Sequence, residues 1–363
     1  MSKPNVLVLG GVGFIGRNLV TYLVENNLAK YIRVVDKVLP STAFLGNPHA
    51  AAFDSEIVEF KQCNLTSDAG VNKAYTMEEG KFELVFNLAA ETKYGQTEEV
   101  YAEKVLTLSK KVAAAAAKFG ANKYIEASTA QVYSEGKKAS KEEAKLSPWT
   151  NLAKYKLQAE NAVKEIDGLP WIIVRPSTVY GPGDVSGLSP RIICGAVYKH
   201  LGETMKFLWS GDLRINTVHV RDVCAALWHL SQNAQVKTTW NLSDKHDTTQ
   251  KKVNKMLEQI FSIKTGFLGA AISSIAKLKL KDVTEEINDK HLKPWADLCR
   301  DAGILNTPLT PYIDQELLYN NSLSIDGAAI ESTGFSYSVP EVTIDLLKEQ
   351  IDYYVQQNLF PST

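Results

Sequence analysis

Short apolar runs rich in valine, isoleucine and phenylalanine alternate with longer stretches of helical spacing through the first half of the chain, at residues 6–9, 32–35, 57–60, 84–88, 124–127 and 171–174. Each run is too short for a helix and carries few polar positions, which is the pattern of strands covered on both faces. Strands separated by helices predict an α/β fold built on a doubly wound parallel sheet. Between the fourth and fifth runs a helix is expected over 98–119, and its alanines at 113–117 suit close packing on the sheet or on a partner subunit.

After Arg175 the periodicity becomes irregular. Gly181-Pro182-Gly183 and Gly187 mark loops ahead of a helix at 190–201. A strand near 215–220 leads into a helix at 221–232, and Trp240-Asn241-Leu242 reads as a return to the sheet. Residues 249–300 read as helical, with 266–280 expected over a cleft. With no linker between the halves, the expected organisation is interleaved: a core at 1–180, an insertion from a smaller lobe at 181–214, a return to the core at 215–245 and a mainly C-terminal lobe at 246–363.

Composition narrows the partners. The 363 residues carry 40 basic and 41 acidic side chains, interspersed, so no basic stripe for nucleic acid is present. Cys63, Cys194, Cys224 and Cys299 lie far apart and are expected to be reduced structural thiols. The first strand begins within five residues of the start, and the most apolar stretch, 265–276, is too short to span a bilayer. A cytoplasmic protein with a small-molecule substrate and no membrane span is expected.

The most specific signal follows the first strand, where the chain turns through Gly10-Gly11-Val12-Gly13-Phe14-Ile15-Gly16 into an apolar helix. Such a turn lets a pyrophosphate approach backbone amides and the positive end of the helix, which marks a dinucleotide site of Rossmann type. The second strand ends at Asp36, about twenty residues on, where a carboxylate accepts hydrogen bonds from the adenosine ribose and repels a 2′-phosphate. NAD is therefore expected rather than NADP.

Further blocks fall in a fixed order: Asn87-Leu88-Ala89-Ala90, Ser128-Thr129-Ala130-Gln131-Val132-Tyr133, Arg175-Pro176-Ser177-Thr178-Val179-Tyr180-Gly181-Pro182-Gly183 and Val218-His219-Val220-Arg221-Asp222-Val223. With the glycine turn they resemble the extended short-chain dehydrogenase/reductase superfamily and its NAD-dependent epimerase/dehydratase family. Leu9 stands where that family has threonine, and Asn64 where it has aspartate. The resemblance implies cofactor contacts from Gly10, Gly11, Val12, Gly13, Phe14 and Ile15, from Asn64 and Leu65 to the adenine, from Ala89 to the adenosine side, and from Pro176 to the nicotinamide amide. It also implies a dimer through the helices at 98–119 and 149–167.

Catalysis in that superfamily uses a tyrosine four residues before a lysine, with a serine or threonine after the fifth strand; the lysine binds ribose hydroxyls and lowers the tyrosine pKa. Thr129 matches the hydroxyl. Lys156 matches the lysine, because Lys156-Leu157-Gln158-Ala159-Glu160 continues as the family does. The tyrosine position falls on Leu152, which cannot transfer a proton. Tyr155 is the nearest substitute, although it is misaligned with Lys156 on the helix. Lys93 or Tyr94 is another, and no relay of the usual kind is a third reading. Tyr133 shares a four-residue spacing with Lys137 but matches a different family position. Ala130-Gln131 replaces the Asp-Glu pair of sugar-nucleotide dehydratases, which disfavours water elimination.

The remaining polar candidates have plainer readings. His219 and Asp222 fit a packing motif, the histidines lack metal-ligand spacing, and Trp295 reads as core. Arg191, Arg214 and Arg221 are candidate diphosphate contacts. The Leu278-Lys279-Leu280-Lys281 run suits an amphipathic helix over the pocket, or contact with a membrane surface. Two functions remain: hydride exchange or epimerisation on a sugar nucleotide or a lipophilic alcohol or ketone, and a catalytically weakened NAD-binding sensor or structural subunit.

Overall fold

The computed structural model describes residues 3–134, 136 and 138–362. Its strands are β1 (Asn5–Leu9), β2 (Tyr31–Asp36), β3 (Val58–Gln62), β4 (Leu84–Asn87), β5 (Lys123–Ala127), β6 (Trp171–Pro176), β7 (Thr178–Tyr180), β8 (Met205–Phe207), β9 (Thr217–His219), β10 (Thr238–Leu242) and β11 (Thr265–Phe267). Seven of them form one sheet in the order β10-β6-β5-β4-β1-β2-β3, every neighbour parallel. The pleat of β1 sorts its side chains: Val6 and Val8 enter one apolar layer with Leu19, Phe86 and Leu227, while Leu7 and Leu9 enter the other with Val112 and Ala116. Both faces are therefore buried, as the unbroken apolar runs require.

Strand order reverses between β1 and β4, where Leu9 pairs with Asn87. Connections leave the carboxyl ends of these strands in opposite directions, and a crevice opens there. The helix expected over 98–119 is present with a π-helical turn, Ala102–Thr107, between Glu98–Tyr101 and Leu108–Lys118. In that turn the Lys104 carbonyl accepts a hydrogen bond from the Glu91 amide at 3.2 Å, which fastens the loop after β4 to the helix. Val112, Ala113 and Ala116 are fully buried on the sheet side, so the alanine face packs inward.

The smaller lobe gathers the helices Ser189–Leu201, Gln250–Phe261, Leu280–Asp301 and Ile344–Val355 around Val197, Leu257, Phe261, Trp295, Leu347 and Phe360. Trp295 is core, as expected. The continuous helix expected over 249–300 is corrected: Ser262 and Gly269 adopt positive φ (55° and 77°), which stops helical hydrogen bonding, and β11 between them pairs with β8. The chain resumes as Gly269–Leu278 and, after Lys279, as Leu280–Asp301, which runs through Pro294. No helix of the described residues is long and apolar enough to cross a membrane.

Candidate active site

One cavity of about 1070 Å³ runs from the glycine turn, past the ends of β4, β5 and β6, to the smaller lobe. At its first end Gly10 has φ 74°, and a Cβ there would lie 2.6 Å from the Ala89 amide nitrogen. A Cβ on Gly16 would sit 2.4 Å from the Gly10 carbonyl oxygen, so both positions are glycine because backbone meets backbone. Gly13 differs: a Cβ there would meet only the Gly10 oxygen, at 3.2 Å, and the residue borders the cavity. Packing restricts Gly13 less than Gly10 or Gly16, and the open cradle beside the helix adds a second reason for glycine there. The first helix, Phe14–Glu25, has no side-chain cap and no acidic residue in its first turn, so its leading amides and dipole face the cradle uncompensated. Asp36 accepts hydrogen bonds from the Val12 and Val38 amides at 3.2 and 3.1 Å, which holds its carboxylate at the rim. Asn64 turns its carbonyl oxygen onto Thr66, leaving its amide nitrogen without a bond among the described residues, and Leu65, Ala89 and Pro176 complete the wall. These residues fit an adenine dinucleotide.

At the centre, Thr129, Gln131, Leu152, Lys156 and Tyr94 line the same cavity. Lys156 is buried and donates to the Ala127 carbonyl at 2.6 Å; burial lowers its pKa, opposed by the charges of Glu126 and Glu160. Its helix, Asn151–Lys164, is fastened to β6 by a buried pair in which Arg175 grips both oxygens of Glu160 at 2.9 and 2.6 Å. Burial works against the Arg175 charge, but the Glu160 contacts hold its pKa above the ordinary value. Ser128 and Tyr133 complete this network through Glu160 and Arg175. Tyr133 is thus a structural partner, and Lys137, which shares its spacing, lies outside the described residues.

Tyr155 does not line the cavity. Its ring stacks on Tyr101 with centroids 5.9 Å apart, in an apolar cluster that Tyr94 flanks. Tyr94 accepts a hydrogen bond from Gln131 Nε2 at 2.8 Å, and Gln131 in turn accepts one from Thr150 Oγ at 3.0 Å. Burial pushes the Tyr94 hydroxyl up to about 12, against the Gln131 hydrogen bond, so it is a neutral phenol throughout the physiological range. Gln131, set aside in the sequence for lacking a carboxylate, is what positions this phenol.

The far end is walled by Phe207, Leu208, Trp209, Leu213, Leu318 and Leu323. Of the three arginines singled out, only Arg191 borders the cavity. Its guanidinium lies 5.0 Å over the Phe207 ring, donates to Gln250 at 2.9 Å and has a buried Nη1 with no partner among the described residues; burial lowers its pKa to about 10. Arg214 pairs with Asp247 and Arg221 with Glu349, away from the cavity. Asp184, which sequence reasoning passed over, accepts amide hydrogen bonds from Ser186, Gly187, Leu188 and Ser189, shaping the loop ahead of Arg191; an aspartate inside the Gly-Pro-Gly-Asp loop was the available signal, since aspartate bonds backbone amides that follow it. Asp222 accepts from Ser338 and Val339, and His219 caps the helix Val220–Asn233, so both serve packing. All four cysteines are buried free thiols, and among the described residues no group of three or more His, Cys, Asp or Glu is placed to hold a metal.

A family model described as the NAD dependent epimerase/dehydratase family matches residues 6–243. A protein of Bacillus subtilis, an uncharacterized UDP-glucose epimerase YtcB, is 27% identical over 333 residues, covering 88% of this chain and 98% of its own. The fold is shared with UDP-glucuronic acid 4-epimerase of Bacillus cereus, solved with UDP-glucuronic acid and NAD, at TM-score 0.69 and 18% identity over 97% of this chain and 99% of that one. It is shared too with dTDP-glucose 4,6-dehydratase of Bacillus anthracis, solved with NAD, at TM-score 0.71 and 19% identity over 97% of each chain.

Proposed function

Because the chain belongs to the NAD-dependent epimerase/dehydratase family, we propose that it binds NAD in the glycine-turn half of the cavity and acts on an alcohol or ketone carbon held beside Thr129 and Lys156. The observation that carries this reading is the single cavity joining Gly13 and Asp36 to Thr129 and Lys156 and then to the smaller lobe. When bound, NAD supplies a hydride donor or acceptor. The turn amides from Gly11 to Ile15 and the first helix hold the pyrophosphate; Asp36 takes the adenosine ribose; Asn64, Leu65 and Ala89 hold the adenine side; Pro176 meets the nicotinamide amide; Lys156 takes the second ribose. A cavity that continues well past the cofactor half supports turnover over a purely structural or sensing role. Residues 1–180 and 215–245 would hold the cofactor, and 181–214 with 246–363 would shape the substrate end.

Leu152 borders the cavity one helical turn before Lys156 and has no proton to give. Tyr94 takes over that task in this proposal. When the substrate carbonyl carbon gains a hydride, the Tyr94 O–H bond breaks and its proton passes to the carbonyl oxygen. The phenolate stays hydrogen-bonded to Gln131 Nε2 and regains a proton from water. Thr129 donates its hydroxyl to the same oxygen.

A sugar nucleotide is the first substrate class, since that is what the named relatives act on or bind. The apolar far wall favours a second reading, an alcohol or ketone with a large apolar body. Titration followed by nicotinamide fluorescence should show NADH binding more tightly than NADPH, and the reverse order would remove Asp36 from its role. With a substrate from either panel, Tyr94→Phe should lower turnover about 100-fold or more while leaving cofactor affinity in place, and Leu152→Tyr added to it should restore part of the rate. Turnover unchanged in Tyr94→Phe would sink the relay.

A further inference from the structure

We propose that the helix Gly269–Leu278 docks the protein on a membrane surface carrying anionic lipid. Ile272, Ile275 and Leu278 recur every third residue along it and are 54%, 70% and 84% exposed, a dense group of exposed large apolar side chains. Ala271 is exposed on the same side. The opposite side is the packed one: Ser273 is fully buried and accepts a hydrogen bond from the Trp209 amide at 2.7 Å, while Ala276 packs with Leu208, Trp209, Leu268 and Leu280. The helix therefore presents its apolar stripe to the outside while its inner side backs the apolar end of the cavity.

Charge identifies the occupant. Lys277, Lys279 and Lys281 cluster at the C-terminal end of this helix and just past it, with no acidic residue from 269 to 281. Lys277 and Lys279 enter no ion pair among the described residues; Lys281 lies 3.9 Å from Glu285, with Asp282 and Glu286 further along the next helix. An amphipathic helix with large apolar side chains beside lysines lies in the plane of a lipid interface, its apolar face among acyl chains and its ammonium groups at the headgroups. A second copy of the chain fits less well. A ten-residue helix is about 15 Å long, and three side chains fall far short of the roughly 800 Å² per partner of a stable dimer. Closure over the chain's own cavity is excluded by the outward direction of the stripe. Docking places the Trp209 and Leu318 wall of the cavity next to the bilayer, and it stands whichever substrate class the cleft accepts.

Sedimentation of the full-length protein with phosphatidylcholine vesicles, with and without phosphatidylserine, tests the proposal. The expected result is partition that rises with phosphatidylserine and falls with salt. The triple variant Ile272→Ser, Ile275→Ser, Leu278→Ser should weaken it about tenfold or more, and Lys277→Glu should weaken the phosphatidylserine dependence by about fivefold or more. Cofactor affinity and thermal midpoint should stay at wild-type values in both, which separates lost docking from lost folding. Absence of vesicle partition, equal partition by the triple variant, or a stripe-dependent dimer that ignores vesicles would each overturn the proposal.

Discussion

Glu160 and Arg175 form a bidentate pair with both side chains almost wholly out of water. Neither lines the cavity, yet together they set where the helix bearing Lys156 and Leu152 lies against β6. Removing one charge leaves the other buried and uncompensated, at a cost of about 3–5 kcal/mol. Glu160→Gln should therefore lower unfolding stability by that order in a denaturant titration; a change below about 1 kcal/mol would show that the guanidinium finds water or another acceptor. In the sequence Glu160 was readable only as the end of the segment that identifies Lys156. Its partner stands fifteen residues away on another element, a contact that no local pattern encodes. Tyr94 and Tyr155 make the same point from the other side: two phenols near Lys156 are indistinguishable as letters, and ring stacking on Tyr101 takes one of them off the cavity.

At the scale of an element, the turn from β1 into the first helix separates two uses of glycine. Gly16→Ala would drive a methyl group to 2.4 Å from the Gly10 oxygen, in backbone that cannot move cheaply, and should cost about 1–3 kcal/mol of stability. Gly13→Ala meets that oxygen at 3.2 Å, a small adjustment, but puts the methyl group in the cradle. It should lower the thermal midpoint less than Gly16→Ala does and lower NAD affinity at least about tenfold, measured by fluorescence titration beside a melting curve. Equal loss of stability in the two variants would make Gly13 a packing residue. The turn was legible because strand, glycines and helix lie within about twenty residues and each imposes its own backbone conformation. The π-helical turn at Ala102–Thr107 was not legible, since its extra residue is set by the loop whose Glu91 amide takes up the Lys104 carbonyl.

Across the whole molecule, three buried histidines join distant parts of the chain. His49 meets Tyr353 at 3.0 Å, His219 lies edge-on to Tyr180 with centroids 4.9 Å apart, and His291 faces Cys194 and Tyr198. Burial, aided by Arg17, Arg221 and Lys290 respectively, pulls their pKa values from 6.5 to about 4, about 3 and about 4. The unfolded chain then binds more protons than the folded one between the lowered values and 6.5. Their stabilising effect is complete above pH 6.5 and falls as the solution is acidified toward the folded values. By about pH 5 each histidine should cost on the order of 2 kcal/mol, against which Asp244, its pKa raised by burial to about 7, gains stability over the same interval. A His291→Gln variant whose urea midpoint falls as far from about pH 7 to 5 as the parent's would mean the folded state protonates that histidine. Alternating apolar runs, the glycine turn and Asp36 at the end of β2 determined by themselves the α/β class and the dinucleotide half, because periodicity and backbone conformation act over a few neighbouring residues. Which phenol reaches the cavity, which of the three candidate diphosphate arginines is left without a carboxylate, where the helix over 249–300 breaks and which face of Gly269–Leu278 is bare were decided only by tertiary structure. Each depends on side chains brought together from far along the chain, and on which direction packing leaves open.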